Sequence, residues 1–462
     1  MSGFVALEPH EKALKMRERL RAASVPLIIA PKAWVLWGFF NILISIFAGM
    51  LPPYVPGSTE MRNGIILSGA LWAAIGTVQC RVPIRISVPV VLLLLLQAWG
   101  AFVTYWVSAE IGRARDFNYT DFFLLRYLYL YFTAAMLCHA EPRARKWLFQ
   151  ALLGATAVTA IVAWAQFFKF PPAIRLAEAL NPIQDITNWD LRGGVRAMGI
   201  YGFPGQTALP CNLVCAILAG VGLFRKLSKF ETLLFFFFAG GALIAQARTH
   251  VPALILITVV FFIGLSRWDK KAMSSWLLIM TLGLVVMFTF GADKMAYLLS
   301  TNWLNDPNLI YRRERAWIQA DTVWQYFPIT GIGPEPRYWG DTRGQVDKWT
   351  PHAGFDNGWL LIRASYGLVG MVMMGIALAI WASAPFRVLR ERAASPEQKG
   401  FTVAMALGAI CIAIGMYGNN ILTWEPSMLV FFVLSGMVMK TQSEEVDSMQ
   451  EPFRELRSRT AS

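Results

Sequence analysis

Apolar runs of about 17–25 residues recur along the 462-residue chain, at approximately 33–51, 64–80, 87–107, 121–138, 148–168, 205–224, 231–247, 250–266, 272–291, 357–384, 400–419 and 425–439. A run of this length, wound as a helix, crosses a hydrocarbon layer of roughly 30 Å. Inside that layer a segment must satisfy its own backbone N–H and C=O groups, which an α-helix does and an isolated strand does not. The pattern therefore predicts an all-α polytopic membrane protein with about twelve transmembrane helices. Composition agrees: 56% of residues are hydrophobic and 15% charged, against about a quarter charged in an ordinary soluble chain.

Lys and Arg set the orientation. Taking the N-terminus as inside, the segments 1–32, 81–86, 139–147, 225–230, 267–271, 386–399 and 440–462 are cytoplasmic, and each carries at least two Lys or Arg. This is the distribution that the positive-inside rule describes. Both termini are then cytoplasmic. The net charge of +13 is explained by membrane orientation and does not point to nucleic acid. The basic N-terminal segment, residues 1–32, suits a helix lying against anionic lipid, or equally a solvated tail. With about thirty residues, basic ones interleaved with apolar ones, before the first span, no cleavable signal peptide is expected.

No internal repeat or low-complexity linker divides the chain. It reads as one membrane domain, residues 33–439, followed by a cytoplasmic tail, 440–462. Two outer loops break the alternation, at about 169–204 and 292–355, the larger lying between helices 9 and 10. The larger loop carries seven Lys or Arg and five tryptophans, on the side where positive charge is normally scarce. Within it, 309–326 (LIYRRERAWIQADTVWQY) has helical spacing that Pro328 ends. Its aromatic face fits the outer leaflet, and it equally fits stacking on sugar rings.

Arginines near the outer ends of the spans are the candidate chemistry: Arg126, Arg196, Arg248 and Arg313, with Arg312 and Arg315 beside the last. An arginine within a span costs about 2.5–3.5 kcal/mol on insertion scales and needs a partner. For Arg126 that partner is Asp121 or Asp116, or else a ligand. Arg248 lies in a turn too short to need solvation by charge, which favours function. A guanidinium presents a planar fork suited to phosphate oxygens. Several together would stabilise a diphosphate leaving group as its bond breaks. The sequence offers no acidic cluster to hold Mg²⁺, so no metal and no cofactor are expected.

The second candidate is PHAGFDNGWLLIRASYGLVGM, residues 351–371. His352, Asp356 and Asn357 precede a helix that re-enters the membrane. Asp or Asn there can be a plain N-cap, whereas Asp356 or His352 can act as a general base on an acceptor hydroxyl. Gly367 and Gly370 are expected to allow close helix packing. The cysteines fall mostly within spans and read as packing residues. His10, His139, His250 and His352 show no metal-ligand spacing.

Over roughly 190–385 the chain resembles the O-antigen ligase/polymerase family of bacterial membrane glycosyltransferases. Arg196, Gly202-Phe203 and the 204–213 run look like the family's Arg, Gly-aromatic and Pro/Asn-helix pattern. Ala247-Arg248 looks like its Ser-Arg turn. Arg313, Trp317, Pro328, Gly331 and Gly333 look like its Arg-x-x-x-Trp and Pro-x-x-Gly-x-Gly pattern. Asp356-Asn357, Leu360, Gly367 and Gly370 look like its His-Asn, Leu and Gly-x-x-Gly pattern.

The resemblance implies an inner-membrane enzyme that uses a glycan on undecaprenyl diphosphate at the periplasmic face. The acceptor would be lipid A-core or another lipid-linked glycan. Arg196, Arg248 and Arg313 would hold the diphosphate, with Arg126, Arg312, Arg315, Trp317 and Asn357 binding substrate. Asp356 or His352 would serve the acceptor. Asp356 stands where ligases carry histidine, which tilts the expectation toward a polymerase of O-antigen or exopolysaccharide repeats, with ligase as the alternative.

A transporter or flippase of a lipid-linked glycan is the competing class, but the chain lacks the two related halves common in transporters. A non-catalytic partner of other polysaccharide-assembly proteins is the third.

Overall fold

The computed structural model describes residues 31–50, 58–78, 82, 86–110, 125–141, 143–180, 197–200, 204–245, 247–271, 273–278, 280–281, 321, 324–333, 357–391, 394–418 and 425–439. All regular structure among them is helical. In chain order the helices are α1 (Pro31–Met50), α2 (Ser58–Val78), α3 (Val88–Glu110), α4 (Leu125–Ala140), α5 (Ala144–Phe167), α6 (Pro171–Leu180), α7 (Pro204–Phe224), α8 (Lys229–Ile244), a 3-10 turn (Arg248–His250), α9 (Val251–Trp268), α10 (Gly358–Val388), α11 (Pro396–Gly418) and α12 (Glu425–Met437).

Six of these are long and apolar enough to cross a membrane: Val88–Trp106, Ala144–Phe167, Gly205–Phe224, Val251–Trp268, Gly358–Val388 and Pro396–Gly418. The short pair expected at 231–247 and 250–266 folds as two separate helices, α8 and α9. Of the run at 272–291, only 273–278 and 280–281 are described, and they are helical.

The axis of the bundle is α7. Its apolar window is 89% buried inside the protein, against 33% for α9, and it packs on α8, α9 and α11. Its sequence explains this, since PGQTALPCNLVCAILAGVGLF presents small side chains all round. Small residues let helix backbones approach where lipid gives no hydrophobic advantage to contact. At Gly220 an added Cβ would meet the Gly400 carbonyl of α11, and at Gly264 of α9 it would meet the Gly222 backbone. One connected apolar core runs from Trp34 in α1 to Met437 in α12.

Helix α10 is broken. Gly367 has φ 63° and ψ −156°, a region essentially restricted to glycine. The break frees backbone groups, and the 328–333 turn takes them up. Ile332 N–H donates to Ala364 O (2.9 Å), Gly333 N–H to Ser365 O (2.8 Å) and Leu368 N–H to Pro328 O (2.9 Å). Trp99 Nε1 of α3 donates to Tyr366 O at 3.2 Å. Irregular backbone of this kind is tolerated in a spanning helix only where protein satisfies it. The turn itself needs Gly331 (φ 69°) and Gly333 (φ 89°), where a Cβ would strike Ser365 backbone and Thr104.

Gly367 therefore marks a break, a correction to the expectation of helix–helix packing there. Gly370 differs from that expectation too, because its missing Cβ makes room for Tyr366 and Ile362 of its own helix.

Candidate functional site

Three expected site segments come together at one end of the bundle. The first follows position 196. Ala197 N–H donates to Ile244 O at 3.3 Å, at the end of α8. Met198 and Gly199 N–H both donate to Gln166 Oε1 of α5, at 2.8 and 3.0 Å. Gln166 Nε2 returns to Gly199 O at 3.0 Å, and Ile200 N–H donates to Thr159 Oγ1 at 3.1 Å. A buried glutamine thus holds the chain leaving Arg196 in a fixed path.

The second segment is the turn Arg248–His250. Pro252, at the first turn of α9, opens that helix. It is tolerated there because its missing donor would be unpaired anyway. The turn is tied down by His250 N–H to Ala247 O (2.9 Å) and by Asn212 Nδ2 of α7 to His250 O (3.0 Å). Thr249 lies against Gly418, the last residue of α11, where any Cβ would collide with it.

The third is the mouth of α10. Asn357 is its N-cap: Oδ1 accepts from Trp359 and Leu360 N–H at 2.9 and 3.1 Å. Its Nδ2 donates to Tyr417 O of α11 at 2.7 Å, and Trp359 Nε1 donates to Ala413 O at 3.0 Å. The capping reading of Asn357 holds, and its amide is spent on joining α10 to α11. Tyr417 and Gly418 are consecutive, so one helix end holds both the Arg248 turn and the residue after Asp356.

Beneath that turn lies His250, 1% exposed; among the described residues neither of its ring nitrogens nor Asn212 Oδ1 has a hydrogen-bond partner. Burial without a counter-charge pushes the His250 imidazole down to about 4, so it is neutral at pH 7. Sequence reasoning set His250 aside for lacking a metal-ligand spacing and passed over Asn212, whose signal was a polar residue inside an otherwise apolar run.

It also passed over Arg363. This residue sits in the second turn of α10, in LLIRASYG. Its Nη1 pairs with Asp321 Oδ1 at 2.9 Å, and its guanidinium carbon lies 4.4 Å from the Trp324 ring centroid.

Arg196, Arg312, Arg313, Arg315, Trp317, His352 and Asp356 lie outside the described residues. Arg126 falls in the first turn of α4 and Arg248 in the 3-10 turn, but the side chains of both are likewise outside the description. The helical reading of 309–326 is met at the described 321 and 324–326, which are helical, and the chain turns at 328–330. Among the described residues no group of His, Cys, Asp and Glu could hold a metal ion. Cys138, Cys211, Cys215 and Cys411 are buried.

Residues 233–375 match the family model described as O-antigen ligase, the family to which the sequence motifs point. The match spans α8 from Leu233, the Arg248 turn, α9, the larger loop and α10 through its break. It includes Arg248, Arg313, His352, Asp356 and Arg363, and leaves Arg126 and Arg196 outside. No curated protein matches the chain. The chain is a multi-pass membrane protein that is similar, over residues 233–375, to the O-antigen ligase family, whose members are glycosyltransferase-like enzymes.

Proposed function

We propose that the chain transfers a glycan from undecaprenyl diphosphate to a hydroxyl of lipid A-core, at the periplasmic face of the bacterial inner membrane. On this reading about twelve helices span the membrane, both termini are cytoplasmic, and the Asn357 end of the bundle faces outward. Arg196, Arg248 and Arg313 hold the diphosphate, with Arg126, Arg312 and Arg315 adding positive field and Trp317 stacking on the glycan. The acceptor oxygen attacks the anomeric carbon, and the bond from that carbon to the diphosphate breaks. The diphosphate keeps the electron pair, its growing charge met by the arginines. The acceptor proton passes to Asp356 or His352. In this scheme the arginines carry the neutralisation that other transferases assign to a metal.

One observation carries the reading. Asn357 and Thr249 are seated on the adjacent residues Tyr417 and Gly418, so their sequence neighbours Asp356 and Arg248 start from the same helix end. The family model is described as O-antigen ligase, which favours that reading. The second reading is a polymerase of lipid-linked repeats, favoured by a carboxylate at 356 where ligases carry histidine. An unperturbed carboxylate near pKa 4 is a weaker base than imidazole.

The test is a strain lacking the chain, with surface and lipid-linked glycans separated by gel and mass. Long polymer held on undecaprenyl diphosphate beside bare lipid A-core is expected for the ligase. Single repeats with no long polymer would support the polymerase, and an unchanged profile would overturn both.

A further inference from the structure

The end of the loop that carries Arg312, Arg313, Arg315 and Trp317, at residues 321 and 324–333, is docked onto α10 at two successive levels. At the lower level the 328–333 turn seats in the break at Gly367 through backbone hydrogen bonds. At the upper level, four residues earlier on α10, Arg363 pairs with Asp321 at 2.9 Å and covers the Trp324 ring at 4.4 Å. Asp321 lies eight residues after Arg313, and residues 321 and 324–326 are helical.

The two levels differ in kind. The lower contact uses main-chain groups and demands only glycine at the tight points. The upper one depends on a particular charge pair. Arg363 sits in an otherwise apolar helix, where its charge is costly unless partnered. Its side chain is 25% exposed and that of Asp321 57%, so the attraction is only partly screened and the ring adds a second contact. A guanidinium that needed only solvation would do as well without Trp324; the geometry instead fixes two residues of the loop, one helical turn apart, at a defined place on α10.

We propose that Arg363 is a positioning residue for glycan transfer: through Asp321 and Trp324 it anchors to α10 the chain that follows Arg313. This rests on the function proposed above. Removing the tether leaves Arg313 in the chain but displaces it relative to the Arg248 turn, and misplacement of about 1 Å at a reacting centre can cost on the order of a hundredfold in rate.

The test uses the full-length protein in lipid nanodiscs, with undecaprenyl-diphosphate-linked oligosaccharide as donor and lipid A-core as acceptor. Turnover per molecule is measured for the parent, Arg363→Ala, Arg363→Lys, Asp321→Asn and the charge exchange Asp321→Arg with Arg363→Asp. Amide hydrogen exchange of the peptide covering residues 313–327 is followed in the same samples.

The expected result is faster exchange and at least tenfold lower kcat in Arg363→Ala, with KM little changed. Arg363→Lys and Asp321→Asn should fall between, and the charge exchange should restore both readouts toward the parent. Lost turnover with unchanged exchange, or no recovery in the charge exchange, would overturn the positioning role, as would faster exchange with full turnover. A parent protein that transfers nothing would overturn the underlying function, and this proposal with it. Should Arg363→Ala fail to accumulate, Asp321→Asn carries the test, since a residue this exposed tolerates the change.

Discussion

The two ends of the bundle differ in how they settle their polar groups. At the end where α7 leads into α8, charges are neutralised close to home. Arg225 Nη1 donates to Glu231 Oε2 at 3.0 Å, and Lys226 pairs with Asp269 at 3.4 Å. Buried Arg145 caps the end of α12 by donating to Met437 O (3.0 Å) and Met439 O (2.6 Å). At the Asn357 end, His250 Nδ1 and Nε2 and Asn212 Oδ1 are buried without hydrogen-bond partners among the described residues. There too Arg248 sits in a turn of three residues. Buried polar groups are nearly always paired, and exceptions ask for an explanation. The contrast is one of degree, since Gln398 Oε1 at the first end is also buried without a partner among the described residues and Arg363 at the second is paired with Asp321. The second end nevertheless holds the buried imidazole and the candidate Arg248 together. This contrast needed no knowledge of the substrate.

The sharpest way to break the contrast is Arg248→Ala. If the Asn357 end is functional, glycan transfer should fall about a hundredfold or more, while the protein accumulates in membranes as before. Arg313→Ala should behave alike. Normal surface glycan from both variants, by gel and immunoblot, would remove the diphosphate clamp and reduce the contrast to packing.

Next in size is Gly367→Ala. A side chain at φ 63° and ψ −156° is strained by about 1–3 kcal/mol, and its Cβ would collide with Ile329 backbone, adding about 1–3 kcal/mol of overpacking. The thermal midpoint in detergent should drop and the turn at 328–333 should unseat. A midpoint equal to the parent's would show that the break is incidental.

The third test uses acid. Burial pushes the His250 imidazole down from its ordinary value of 6.5 to about 4 in the folded protein. Below about pH 6.5 the unfolded chain therefore takes up a proton that the folded one refuses. Stability should fall as pH drops from about 6.5 to about 4, by up to about 3 kcal/mol. His250→Gln should flatten that slope in thermal midpoints read between pH 7 and 4.5. An unchanged slope would mean that this imidazole is not the buried, uncompensated group described here.

The helices were legible in the sequence because membrane burial writes itself in long apolar runs; even the short pair at 231–266 separated where Arg248 interrupts it. Legible too was the cap at Asn357, since Asn before an apolar run has one common job. The break in α10 was not. Gly-x-x-Gly reads the same whether glycine allows another helix to approach or lets its own helix come apart, and only the turn at 328–333 decides between them. Arg363 was hidden for a related reason. Its partners Asp321 and Trp324 lie some forty residues away, and pairing across a loop leaves no periodic trace. His250 was set aside for lacking a metal-ligand spacing, although its information lay in burial. Asp356 tilted the reading toward a polymerase on one side chain, and the match over 233–375 does not separate polymerase from ligase.

The smallest effect is expected from Ser228→Ala, at the end where α7 leads into α8. Ser228 Oγ accepts Glu231 N–H at 3.2 Å, and Glu231 Oε2 accepts Ser228 N–H at 2.8 Å, a reciprocal cap on α8. Losing the hydroxyl should cost about 1 kcal/mol and lower the thermal midpoint by a few degrees. Transfer per molecule should stay at the parent's level, because Ser228 lies at the opposite end of α8 from Ile244, whose carbonyl holds Ala197. A clear fall in kcat without unfolding would mean that the two ends are coupled through α8. Stability and function would then be properties of the same helix, and the division drawn between the ends would fail.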